Sequence, residues 1–362
     1  FKRDERVIPI RAHSLLDGQR MKERRCVAIA LTLIAVLVVA VSIHGVSLAR
    51  GGASADSVSP GYRSEHVHES DIPDESASSQ MAYSVDDGYP ADRWGVSRIE
   101  APQAWELTRG DPSVVVAVLD TGICTANPEL AERVVVEVNF TDSPTCDDLY
   151  GHGTHIAGTI AAVAPDARLM NVKVADDMGR CEPSVVARGI VWAVDHGASV
   201  INISLGMRPS SDLEDAVEYA WSQGAIIIAA AGNQGGSGPV YPAYYVNCLA
   251  VAGTNRSDSL ALLSGHGYWV DVAAPGFNIY SELPQNQYGY KTGTSTAVAH
   301  VSGVAALVFS VASDSSSGSG AINYEVREAI LSSCSPIGAD GVGNGLVNAF
   351  EAVTGTLSPV AT

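Results

Sequence analysis

Apolar positions along this chain follow two rhythms. Short apolar runs recur at 114–119, 134–138, 169–174, 199–204, 225–231 and 248–253, each the length of one buried strand. Between them, 153–163, 184–196 and 212–223 carry apolar residues at helical spacing. The last is opened by Ser211 and Glu214 in capping-box register and stopped by Gly224. Strands alternating with helices predict an α/β fold, a three-layer α/β/α domain with a mostly parallel central sheet. Two segments, 153–163 and 297–308, are built of small apolar residues on almost every face, which predicts helices buried all round. After the second come a Ser/Gly loop at 313–320, a helix near 323–331 and a short helix at 346–353.

The ends of these runs carry chemistry. The run at 114–119 ends in Asp120-Thr121-Gly122, a buried strand delivering a carboxylate at its carboxyl edge. Gly151-His152-Gly153-Thr154-His155 opens one buried helix, and Gly293-Thr294-Ser295 opens the other. Ser295 then stands at a helix N-terminus, where free N–H groups favour developing negative charge. A serine hydroxyl needs a base to take its proton, and His152 is the candidate, with Asp120 to fix its tautomer. The run at 225–231 leads into Gly232-Asn233, which offers a neutral amide donor to an oxyanion. Alone, each trio reads as a helix cap or a strand end; together they make a catalytic set. A zinc site on His152 and His155 fits poorly, because their spacing lacks an acidic third ligand.

With these residues in place, the chain resembles the subtilisin family of serine endopeptidases, and within it the thermitase-like branch. The resemblance rests on 98–105 (Arg-Ile-Glu-Ala-Pro-Gln-Ala-Trp), 118–122, 151–155, 202–206 (Asn-Ile-Ser-Leu-Gly), 229–233, 241–245, 270–276 and 293–295, in family order over roughly 92–353. The order Asp, His, Ser is the one subtilisin itself has. The resemblance implies Asp120, His152 and Ser295 as the triad, with Asn233 and Thr294 at the oxyanion. It makes Ser204-Leu205-Gly206 and Ala230-Ala231-Gly232 the walls of the pocket for the residue before the scissile bond. Val240 falls where many relatives have a smaller residue, implying a shallower pocket that favours Leu, Met or Ala over Phe or Tyr. Polypeptides are the implied substrates, cleaved broadly with an apolar preference by a monomer that needs no cofactor for chemistry. A catalytically impaired, membrane-tethered peptide-binding module is the alternative, suggested by two departures described below.

Charge and composition narrow the setting. Of 362 residues 46% are apolar, enough for one large core, and the formal charge is −18. Residues 1–25 are basic, so the remainder, with 14 Lys or Arg against 36 Asp or Glu, carries −22. Such a surface repels phosphate backbones and argues against nucleic-acid binding. The chain opens at Phe1, which reads as a fragment or an over-extended frame. Residues 1–25 form a basic n-region. Segment 26–49, with an uncharged apolar run at 26–43, is a signal peptide or a single N-terminal span, the one expected membrane contact. Either places the catalytic domain outside. Residues 50–91 read as an acidic linker or short pro-segment, 92–355 as the catalytic domain and 356–362 as a tail without anchor or accessory domain.

Departures from the family pattern carry expectations of their own. Thr296 stands after the nucleophile where the family usually has Met, which removes an oxidation-prone thioether. Ala299 replaces a proline expected in the helix's first turn, and 50–91 is too short and polar for the usual folded propeptide. These two favour the impaired alternative. At 162–165 (Ala-Val-Ala-Pro) the calcium-binding insertion of many relatives is missing, leaving Asp142, Asp147 and Asp148 as a weaker candidate site for structural calcium. Cys146 and Cys181 lie close to where some relatives place a disulfide; Cys124 with Cys146 is the competing pair.

Overall fold

The structure, a computed structural model, describes residues 93–312 and 322–357. The expected n-region, apolar segment, linker and tail end lie outside the described residues. Two short helices, α1 (Trp94–Arg98) and α2 (Ala101–Ala104), lead into β1 (Val115–Asp120). The chain continues through α3 (Pro128–Ala131), β2 (Val134–Asn139), α4 (His152–Val163) and β3 (Arg168–Lys173). Then come α5 (Pro183–Asp195), β4 (Val200–Ile203), α6 (Ser211–Ser222), β5 (Ile226–Ala230), β6 (Cys248–Thr254) and β7 (Val272–Pro275). A hairpin of β8 (Ile279–Leu283) and β9 (Gln287–Lys291) precedes α7 (Thr294–Phe309), α8 (Ile322–Ser332) and α9 (Ala349–Leu357).

Among the described residues seven strands form one sheet in the order β2-β3-β1-β4-β5-β6-β7, and every adjacent pair is parallel. Side chains alternate across a strand, so each central strand feeds two cores. Val116 and Val118 of β1, with Ile226, Ile228 and Ala230 of β5, pack towards α4 and α7. Ala117 and Leu119, with Ile227 and Ala229, pack on the opposite side towards α5 and α6. This two-sided burial is why the strands read as unbroken apolar runs, and it produces the α/β/α layering. Helices α4 and α7 are buried along their whole length, as small residues on every face require.

Two local expectations differ. The cap of α6 is Ser210 with no side-chain cap bond, so the Ser211–Glu214 capping box does not form; Ser211 lies inside the first turn. Gly224 does end the helix, at φ +86°. Ala299 sits in the second turn of α7, since the helix begins at Thr294.

Strand order reverses around β1, whose neighbours β3 and β4 lie on either side of it. Open parallel sheets bind ligands at such a point, beyond the carboxyl ends of the strands. Asp120 ends β1, Ser204 follows β4, and Ala231 to Asn233 follow β5.

Candidate active site

The buried carboxylate of Asp120 accepts two hydrogen bonds on Oδ1, from its neighbour Thr121 N (2.8 Å) and from His152 Nδ1 (2.7 Å). The contact to Nδ1 leaves Nε2 as the ring nitrogen able to act as base. His152 is the first residue of α4, and the helix places it there because Gly151 takes the left-handed conformation at φ +88°. Gly153 has to lack a side chain: a Cβ there would lie 2.1 Å from the Gly122 carbonyl oxygen.

Ser295 lies in the first turn of α7, with Gly293 as the cap. Its Oγ donates to the Ser204 carbonyl (3.1 Å), while Ser204 Oγ donates to the Ser295 carbonyl (2.9 Å). Asn202 Nδ2 supports Ser204 Oγ (3.0 Å), and Ser302 Oγ, two turns along α7, donates to Asn202 Oδ1 (2.9 Å). Asn202 entered the sequence analysis only as part of the 202–206 motif, and Ser302 was not singled out there. Only the fold brings β4 and α7 together around Ser295.

Asn233 is partly exposed beyond β5, and its Oδ1 accepts from Thr294 N (2.8 Å) and Thr294 Oγ1 (3.0 Å). Its Nδ2 end lies towards Gly293, where an added Cβ would stand 3.0 Å away. The Thr294 hydroxyl also accepts from Gly232 N (3.1 Å). Both Thr294 donors thus meet the Asn233 carbonyl oxygen.

The two proposed pocket walls leave adjacent parallel strands, with Ile203 of β4 beside Ala229 of β5. Ser204, Leu205, Ala230, Ala231 and Gly232 are buried, Gly206 and Val240 partly so. Val240 lies across both walls: a Cβ on Gly206 would stand 3.0 Å from Val240 Cγ1, and one on Gly232 2.9 Å from Cγ2.

The cysteines depart from the expected disulfide. Cys146 and Cys181 are both free thiols, as is Cys124. The backbone at Cys146 is pinned by Asn171 Nδ2 (3.1 Å), and Cys181 bridges to Ala175, so each is held by different neighbours. Burial, reinforced by the nearby Asp120 charge, pushes the Cys181 thiol up to about 12.

His155 and His300 are buried and tied to backbone carbonyls. His155 Nε2 contacts the Ile279 carbonyl (2.9 Å), and burial lowers it to about 3. His300 Nδ1 bonds the Thr296 carbonyl (2.8 Å), and burial lowers it to about 4. His152 and His155 thus face different partners and do not converge as metal ligands.

Asp142, Asp147 and Asp148 do not fit calcium. Asp142 and Asp147 are exposed, and both oxygens of buried Asp148 accept from N–H and O–H donors. Among the described residues no three His, Cys, Asp or Glu side chains converge on a metal position. Nor, among them, is any helix long and apolar enough to cross a membrane.

Comparison with known proteins agrees with this architecture. The sequence model of the subtilase family matches residues 111–350. Thermitase of Thermoactinomyces vulgaris is 42% identical over 286 residues, covering 75% of this chain and 99% of that protein. A thermophilic serine proteinase of Bacillus sp. (strain AK1) is 38% identical, covering 74% and 68%. Subtilisin BL of Lederbergia lenta is 41% identical, covering 72% and 98%. The chain belongs to the subtilase family and is a serine-type endopeptidase of the thermitase-like kind.

Proposed function

We propose that this endopeptidase works through Asp120, His152 and Ser295, with Asn233 and the Ser295 N–H at the oxyanion. The 2.7 Å contact between His152 Nδ1 and the buried Asp120 carboxylate carries this reading. His152 Nε2 takes the Ser295 Oγ proton as Oγ bonds the substrate carbonyl carbon. The carbonyl oxygen becomes an oxyanion facing Asn233 Nδ2 and the first turn of α7. The imidazolium gives its proton to the departing amine as the C–N bond breaks, leaving an acyl-enzyme on Ser295. Water then attacks the ester, its proton passing to His152 and on to Ser295 Oγ as the acid leaves. At rest the Ser295 hydroxyl bonds the Ser204 carbonyl, and on attack its proton passes to His152 instead.

The substrate is a polypeptide in extended form, its apolar side chain seated between Ser204–Gly206 and Ala230–Gly232 over Val240. Export rests on the basic n-region and the apolar segment 26–43, which serve as signal peptide or N-terminal span. A fluorophosphonate probe tests the mechanism: it labels Ser295 in the wild type and fails to label Ser295→Ala. A folded wild type that resists the probe and leaves unfolded casein intact would instead be the silent peptide-binding module.

A further inference from the structure

We propose that Asp148 is a positioning residue that holds the Asp120 strand and the His152 helix in register; the inference rests on the triad reading above. Asp148 is buried, and its partners are all donors. Oδ1 accepts from Thr121 Oγ1 (2.8 Å), Tyr150 N (3.0 Å) and Gly151 N (2.7 Å). Oδ2 accepts from Thr154 N (2.8 Å) and Thr154 Oγ1 (2.7 Å).

These bonds join two separate pieces of chain. Thr121 is the residue after Asp120, and its own N–H already reaches Asp120 Oδ1. Its hydroxyl accepts from Gly153 N (3.0 Å), the residue after His152, while donating to Asp148. Thr154, one residue further on, accepts on Oγ1 from Cys124 N (3.0 Å) while donating to Asp148. Asp148 therefore closes two hydrogen-bonded links between the loop after β1 and the first turn of α4.

Local chemistry explains why a carboxylate is needed. Helix α4 is capped by Gly151, which has no side chain to accept from the open N–H groups of the first turn. Asp148 supplies that acceptor from outside the helix and engages the adjoining Thr121 with the same group. A carboxylate accepts on both oxygens and contributes no hydrogen of its own, which suits a site where every partner is a donor. On its other side Thr121 is gripped again, because buried Lys173 donates from Nζ to the Thr121 carbonyl and pairs with Asp177 (2.8 Å). Asp120 and His152 meet at one hydrogen bond, and Asp148 sets the distance over which that bond forms without touching substrate or the reacting atoms.

Asp148→Asn tests this. An amide turns one end of the group into a donor, facing either the Thr121 and Gly151 donors or the Thr154 donors. Wild type and variant are titrated with a fluorophosphonate, so kcat is expressed per labelled Ser295, using a peptide anilide substrate. The low-field proton resonance of the His152–Asp120 hydrogen bond is recorded alongside. The expected result is a fall in kcat of about 10- to 100-fold, the scale of a small misplacement of a catalytic group, with KM nearly unchanged and the resonance lost. A kcat per site equal to wild type, or a change confined to KM, would overturn the proposal, because a purely structural aspartate lowers the melting temperature alone. Should the Asn variant fail to fold, Thr121→Val removes only the bridging hydroxyl and keeps the N–H to Asp120. It is expected to lower kcat in the same direction, and an unchanged kcat overturns the proposal. A wild type that is itself unlabelled defeats the triad reading and this one with it; a labelled wild type beside an unimpaired Asp148→Asn defeats this one alone.

Discussion

Thr294 grips Asn233 by its carbonyl end, through N–H and Oγ1 bonds of 2.8 and 3.0 Å to the same Oδ1. The amide is thereby oriented before substrate arrives, with its NH2 end left for the cleft. Replacing Asn233 by Ala is expected to lower kcat by about 10²- to 10³-fold with little change in KM, a magnitude known from the oxyanion donor of subtilisin itself. Steady-state kinetics on a peptide anilide check this. A change confined to KM would remove Asn233 from the oxyanion role.

Val240 closes the space between the two pocket walls. Shortening it to Ala deepens the pocket by two methyl groups. The expected result is a gain of about tenfold in kcat/KM for peptides with Phe before the scissile bond, relative to the Leu peptide. A wild-type enzyme that already prefers Phe would show that Val240 does not limit the pocket.

Thr296 is buried next to Ser295, and its Oγ1 donates to the Gly293 carbonyl (2.9 Å). The wild type should keep most of its activity in peroxide, while Thr296→Met should lose it rapidly by sulfoxide formation. Residual activity over time in peroxide is the measurement, and mass spectrometry of the 289–303 peptide locates any oxidation. Rapid loss in the wild type, traced to this peptide, contradicts the expectation.

His155 and His300 make the fold acid-sensitive. Burial lowers them from 6.5 to about 3 and about 4, so the folded state binds their protons later than the unfolded chain does. Their contribution is fully present above pH 6.5 and is lost as pH falls through that interval. Each adds a slope of about 1.4 kcal/mol per pH unit between its unfolded and folded values. Thermal unfolding followed against pH should show a flat Tm near neutrality and a steep fall below about pH 6. A Tm that stays level down to pH 4 would mean that both rings are hydrated in solution.

Much of the framework was legible because two-sided burial leaves a strong mark on the chain. Six strands and the first buried helix were expected within one or two residues of their observed ends, and the second buried helix begins three residues before its expected apolar run. β7 was not, being four residues inside a motif recognised only for its family likeness. The hairpin of β8 and β9 was missed because its second strand, Gln287–Lys291, is partly exposed and lacks an apolar rhythm. The Ser211 capping box failed because a cap is defined by backbone dihedrals at one residue, which a spacing pattern locates only to within a position or so.

Asp148 shows the limit most plainly. Beside Asp142 and Asp147 it reads as one member of a weak candidate calcium site; in the fold it is the buried acceptor of five hydrogen bonds. The cysteines failed similarly, since a likeness in spacing says nothing of whether two sulfur atoms face each other.

By itself the sequence determined the layered α/β class, the strands that end at one edge of the sheet, and the residue types able to carry acyl transfer. It could do so because apolar rhythm and short motifs are local, written in consecutive residues. The tertiary structure alone decided that Thr294 bonds Asn233, that Cys146 and Cys181 are free thiols, and that Asp148 and Lys173 converge on Thr121. Those relations depend on which atoms of distant segments come within three ångströms of one another, and burial then turns an ordinary polar side chain into one that must be paired.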